Sequence, residues 1–166
     1  MKKINATFVA LMLFGLAANA QTIFANDLCV VTFADGKTYY SKVLGKSGKI
    51  VNTKLLHSGS LYSFKGRTVT SSEGFYEAGH ELNDIVCYGG RIKDLLYVGN
   101  FVEVTFGDGA SYFAVVESIG NDGYATKMLH SGNKYRFNGD GTVLSSTGAY
   151  PVGHKTKSVM LLTQRK

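Results

Sequence analysis

Val31-Thr32-Phe33-Ala34-Asp35-Gly36 returns 73 positions later as Val104-Thr105-Phe106-Gly107-Asp108-Gly109. Each stretch places β-branched and aromatic residues ahead of a glycine-containing turn, the pattern of a strand entering a hairpin. At the same offset Thr53-Lys54-Leu55-Leu56-His57-Ser58-Gly59 becomes Thr126-Lys127-Met128-Leu129-His130-Ser131-Gly132, and Tyr62 and Phe64 match Tyr135 and Phe137. One residue is inserted near Asp140. The register then resumes at an offset of 74, where Ser71-Ser72, Gly74, Tyr76 and Gly79-His80 match Ser145-Ser146, Gly148, Tyr150 and Gly153-His154. Ordered identities of this extent mark a duplication.

Within the second copy, alternation and turn residues predict strands over 101–106, 111–119, 124–129, 134–138, 142–145 and 158–162. Val102, Val104 and Phe106 fall on one face of the first of these. Gly107-Asp108-Gly109, Asn121-Asp122-Gly123, Ser131-Gly132 and Asp140-Gly141 supply the reversals, because Gly and Asp tolerate positive φ. Only 92–97 carries apolar residues at a spacing compatible with a helical turn. A unit of this size with five or six short strands is too small for a two-sheet sandwich. Closing the sheet on itself removes its edges, so a small barrel is expected. The expected architecture is all-β, with barrels over 27–88 and 100–163 and a linker over 89–99, in which Gly89-Gly90 interrupts the strand pattern.

The chain opens on Lys2 and Lys3, an apolar run over 6–17, and Ala18-Asn19-Ala20. That order predicts a secretory signal peptide over 1–20, cut after Ala20. The apolar run is too short to be a transmembrane anchor, so none is expected in the mature chain, which would be periplasmic or secreted. Of the 18 Lys and Arg residues set against 12 Asp and Glu, Lys2 and Lys3 leave with the leader. The remaining charge is spread along the chain and only the tail, with Lys155, Lys157, Arg165 and Lys166, is locally basic. Nucleic-acid binding would need a clustered basic face, and is not expected.

Cys29 and Cys87 are the two cysteines. Cys29 aligns with Val102 on the first strand of a copy and Cys87 with Leu161 on the last. In a closed barrel those strands are neighbours, so an oxidising compartment would join them. Free buried thiols or a redox pair are the alternatives, and no CxxC spacing supports the second.

The segment from Asp108 through Gly109, Tyr112, Ala114 and Val116 to Ile119 resembles the Tudor group of SH3-like barrels, and the first copy retains Asp35, Gly36, Tyr39 and Val43 of it. The resemblance implies an SH3-like fold in each copy. It also implies that Tyr39 and Tyr112 stand where one wall of the family's aromatic cage for methylated side chains lies. The strand-one aromatic of that cage aligns with Thr32 and Thr105.

Four histidines complete the candidate site. His57 and His80 correspond to His130 and His154, so each copy carries a pair at similar spacing. These side chains either fix turns or line a groove with Tyr39, Tyr62, Tyr112 and Tyr135. A metal held with Asp35 or Asp108 would lack any HxxxH or HExxH spacing, and no metal or cofactor is expected. The chain has no Gly-x-Ser-x-Gly elbow, phosphate loop or dinucleotide fingerprint, so no catalytic residues are assigned. The expected function is non-enzymatic binding of a protein, peptide or cell-wall polymer through two similar modules. An envelope structural or hydrolase-inhibitor protein is the alternative. The sequence leaves the oligomeric state open.

Overall fold

The computed structural model describes residues 22–165; the expected leader and its cut after Ala20 lie outside them. The described chain is all-β. The strands of the first copy are β1 (Leu28–Phe33), β2 (Thr38–Ser47), β3 (Ile50–Leu55), β4 (Leu61–Lys65), β5 (Thr68–Ser72) and β6 (Leu82–Ile92). Those of the second are β7 (Phe101–Phe106), β8 (Ser111–Gly120), β9 (Gly123–Met128), β10 (Lys134–Asn138), β11 (Val143–Ser146) and β12 (Thr156–Gln164). Every expected strand of the second copy is present, each end within two residues of its predicted place. The stretch 93–97 has no regular structure instead of a helical turn.

All twelve strands join one antiparallel sheet in the order β11-β10-β9-β8-β7-β12-β6-β1-β2-β3-β4-β5. The long strands β2 and β8 each slip register by one residue, between Val43 and Gly45 and between Val116 and Ser118. A bulge of this kind bends a strand and increases its twist. The outermost strand of each half consequently returns to the residues that lead into its last strand. Val69 donates its N–H to the His80 carbonyl and accepts from the Gly79 N–H, as Val143 does with His154 and Gly153. Isolated bridges Thr68–Glu81 and Thr142–Lys155 accompany these bonds.

The inward-facing positions of each half form a separate core. Phe33, Val31, Val43, Tyr62 and Phe64 pack together in the first, and Phe106, Val104, Val116, Tyr135 and Phe137 in the second. Cys29 and Cys87 face each other across β1 and β6 with their Cα atoms 4.1 Å apart, and are joined by a disulfide. The Cys29 carbonyl accepts the Ser41 hydroxyl on one side, and the Cys87 carbonyl accepts the Arg165 N–H on the other. Their peptide groups therefore turn outward, which makes this a non-hydrogen-bonded pair, where facing side chains come closest. Val102 and Leu161 occupy the same register in the second half.

The first part of the expected linker over 89–99 is strand. Strand β6 runs through Gly89-Gly90 to Ile92 and pairs with β12, Gly90 opposite Thr163. A Cβ on Gly90 would collide with the Thr163 hydroxyl, and one on Gly89 with the Asp27 carboxylate and the Arg165 guanidinium. These glycines admit side chains from across the seam; they do not end the strand. The residues that lead into the first strand of each half also match. The Tyr97 N–H donates to Asn100 Oδ1 at 2.8 Å, as the Phe24 N–H donates to Asp27 Oδ2 at 2.9 Å.

A third apolar cluster lies between the halves and is built from equivalent positions of each: Leu28 with Phe101, Tyr40 with Phe113, Leu56 with Leu129, and Tyr88 with Leu162. Two arginines cross the seam reciprocally. Arg91 of the first half binds Glu103 of the second, and Arg165 of the second binds Asp27 of the first at 3.0 Å. The Arg165 guanidinium also lies 4.8 Å from the Phe24 ring centroid, so the two ends of the described chain touch. The halves are thus related by a pseudo-two-fold axis through the β6–β12 seam.

Candidate binding surfaces

The same constellation of rings occurs in both halves. Tyr39, near the start of β2, packs flat against His57 in the turn after β3, with centroids 6.3 Å apart; Tyr112 and His130 do so at 4.8 Å. Beneath them Tyr76 stacks on Phe33 at 3.6 Å, as Tyr150 stacks on Phe106. The Tyr76 hydroxyl donates to Asp35 Oδ2 at 2.9 Å, and that of Tyr150 to Asp108 Oδ2 at 3.0 Å. His80 lies 4.7 Å from Tyr76, and His154 lies 4.8 Å from Tyr150. Each half therefore gathers one tyrosine of the expected groove and both of its histidines around a second tyrosine.

The β-turn fixes the acid in this constellation. Asp35 Oδ1 accepts the Lys37 N–H and Asp108 Oδ1 accepts the Ala110 N–H, so each carboxylate closes its own turn and turns its second oxygen to the tyrosine. The Lys37 backbone N–H holds the Asp35 carboxyl below its ordinary range against a smaller desolvation effect, with the Tyr76 hydroxyl and the Lys37 charge adding to it. Asp108 is lowered likewise, by the Ala110 N–H first, then by the Tyr150 hydroxyl and His154. Burial, then hydrogen bonding with Tyr39 and Asp35, pushes the Tyr76 hydroxyl well above its usual value; burial, Tyr112 and Asp108 do the same for Tyr150. Burial lowers His130.

The rings of Tyr62 and Tyr135 lie in the two cores. They are 2% and 4% exposed, and each hydroxyl accepts a backbone N–H, from Tyr76 at 3.2 Å and from Tyr150 at 3.4 Å. Their alternation with Phe64 and Phe137 places them inside. His80 and His154 are half-buried, and in both the Nε2 atom is buried with no hydrogen-bond partner. Tyr39 and Tyr112 are half-buried, while His57 and His130 are exposed. Thr32 and Thr105 form hydroxyl pairs, Thr32 with Thr38 and Thr105 with Ser111.

The two tyrosines that organise the constellation, Tyr76 and Tyr150, were visible in the sequence as matched residues but carried no motif. The surfaces also differ. Phe75 is 83% exposed with the Lys37 ammonium 5.8 Å from its ring centroid, and Ala149 stands at the corresponding place. Among the described residues no three His, Cys, Asp or Glu side chains converge as a metal site would require. No family model, curated protein or solved structure matches this chain. The surface itself therefore bears the functional argument. It offers a flat ring–imidazole pair over a rigid, hydrogen-bonded base, suited to stacking and to one or two polar contacts.

Proposed function

We propose that the chain is an exported, non-enzymatic binding protein whose two halves are small SH3-like barrels presenting the same kind of surface twice to a protein, peptide or cell-wall ligand. The observation that carries this reading is the recurrence of the Tyr39–His57 stack, with its Tyr76–Asp35 base, as Tyr112–His130 over Tyr150–Asp108. Core packing explains Phe33 and Phe106, but an exposed imidazole laid on a half-buried tyrosine adds little to either core. Its retention in both copies fits a surface used for contact. The hydrogen bonds from β5 and β11 back to the residues before β6 and β12 are those a closed barrel needs. The Lys2-Lys3 leader and the Cys29–Cys87 disulfide both fit an oxidising compartment outside the cytoplasm.

Two linked sites gain avidity without new contacts, commonly by a hundredfold or more. Removing one site by Tyr112→Ala with His130→Ala should therefore lower retention on cell-envelope extract far more than half, and a second pair, Tyr39→Ala with His57→Ala, should abolish it. Purified peptidoglycan as competitor separates a polymer ligand from a protein one. Undiminished capture by the four-residue variant would overturn the proposal.

A further inference from the structure

Duplication makes the two halves controls for each other, and they differ at one place on the seam. A cleft of about 110 Å³ opens beside the Tyr112–His130 stack, walled by Leu56 and Lys42 of the first half and by Phe113 and Glu103 of the second. Its pseudo-two-fold counterpart, beside Tyr39 and His57, has Val115 where Lys42 stands and Val30 where Glu103 stands. Charge stands at one of two related positions.

The two charges in that cleft do not stand alike. Glu103 is occupied, for Arg91 reaches it with Nε to Oε2 and with Nη2 to Oε1. Lys42 is half-buried and makes no ion pair among the described residues. Its position on β2 is set by pairing with Leu28 on one side and Lys54 on the other, so it shares the seam face with Tyr40 of the apolar cluster. An ammonium without an ion-pair partner, held beside apolar walls, attracts an anion more strongly than one in open water. Leu56, Phe113 and Tyr112 supply apolar and aromatic wall beside it, and Ser111, His130 and the Arg91-bound Glu103 complete the lining. The volume has room for a carboxylate and the first carbons attached to it, and not for a drug-sized molecule.

We propose that this cleft takes the carboxylate of a ligand carrying an apolar or aromatic side chain, the anion on Lys42 and the side chain against Leu56, Phe113 and Tyr112. This deepens the binding reading above and rests on it, since it names the chemistry that one of the two surfaces selects. The free end of a peptide and a cell-wall stem peptide both supply such a group.

The probe is N-acetylphenylalanine, with its amide as the uncharged control, added to isotope-labelled full-length mature protein. The acid should produce saturable shifts in the His130 imidazole and in the Lys42 side-chain signals, and the amide should not. Lys42→Met, which retains the stem, should weaken binding about tenfold or more, the worth of one hydrogen-bonded charge; Lys42→Arg should restore most of it. Equal shifts with acid and amide, shifts confined to His57, or full binding by Lys42→Met would overturn the proposal. If the acid does not bind while wild type and Lys42→Met capture the same envelope component, the carboxylate site fails and the broader reading stands. If neither binds anything, both fall. A peptide with a free terminus and a soluble muropeptide, each added as competitor, then distinguish the two sources.

Discussion

His80 and His154 each bury an Nε2 atom without a hydrogen-bond partner, in the same position of both halves. A buried polar atom left unpaired costs free energy that an apolar ring of similar shape does not. Replacing both by phenylalanine should leave stability unchanged or raise it by up to about 1 kcal/mol per site, read from urea unfolding. Tyr62→Phe works in the opposite sense, since it strips the Tyr76 N–H of its acceptor and should cost about 1–3 kcal/mol. Titration has a sign at this scale too. Tyr76 and Tyr150 have folded-state pKa values raised above the ordinary 10.0, so their contribution is complete below that pH and is lost as pH rises beyond it. Asp35, Asp108 and Asp140 are lowered from 3.8, so theirs is present above that pH and lost on further acidification. His130, lowered from 6.5, withdraws its part earlier, as pH falls below that value. Stability followed by circular dichroism should thus decline above pH 10 with delayed tyrosinate absorbance, and decline in two acid stages. Residue types alone could not give this picture. Alternation put Tyr62 and Phe64 on one face of β4, but which face is inward depends on how the sheet curls.

Strands and turns were the most legible level. Period-two alternation ended by Gly-Asp or Asp-Gly is a local signal, and the duplication let each copy correct the other. Register followed from it: aligning Cys29 with Val102 and Cys87 with Leu161 put both pairs on neighbouring strands, and both pairs are found opposite one another. The second half shows that the site tolerates an apolar pair, which supplies its own test. Cys29→Val with Cys87→Leu should fold cooperatively and retain the packing, yet lose the constraint on the unfolded chain. Closing a loop with a sequence separation of 58 is worth about 4 kcal/mol on the chain-entropy estimate. The denaturation midpoint of the double variant should therefore match that of reduced wild type and lie well below the oxidised protein. Gly89-Gly90 was the misleading element. Paired glycines usually mark a break, but here the absent side chains make space for Thr163 and Arg165, which belong to the other half and are remote in sequence.

At the scale of the molecule the two halves behave as one body because a shared sheet, an apolar cluster and two reciprocal arginine pairs bridge them. The particular contacts were not readable in advance, for each joins positions that no local pattern connects. Asp27 is nearly fully buried, so Arg165→Met, which leaves its carboxylate without a charged partner, should cost about 3 kcal/mol in global unfolding. Gly90→Val should prise β6 from β12 and make the protein more susceptible to limited proteolysis than wild type. The meeting of Phe24 with Arg165 has a consequence for genetic order. Because the two ends of the described residues are side by side, a short bridge between residues 165 and 22 with a cut inside 93–96 would yield a circular permutant. In it the second copy would be translated first and the polypeptide would still reach the same sheet. Which twin precedes the other is then an accident of the gene, and the assembled surface is indifferent to it.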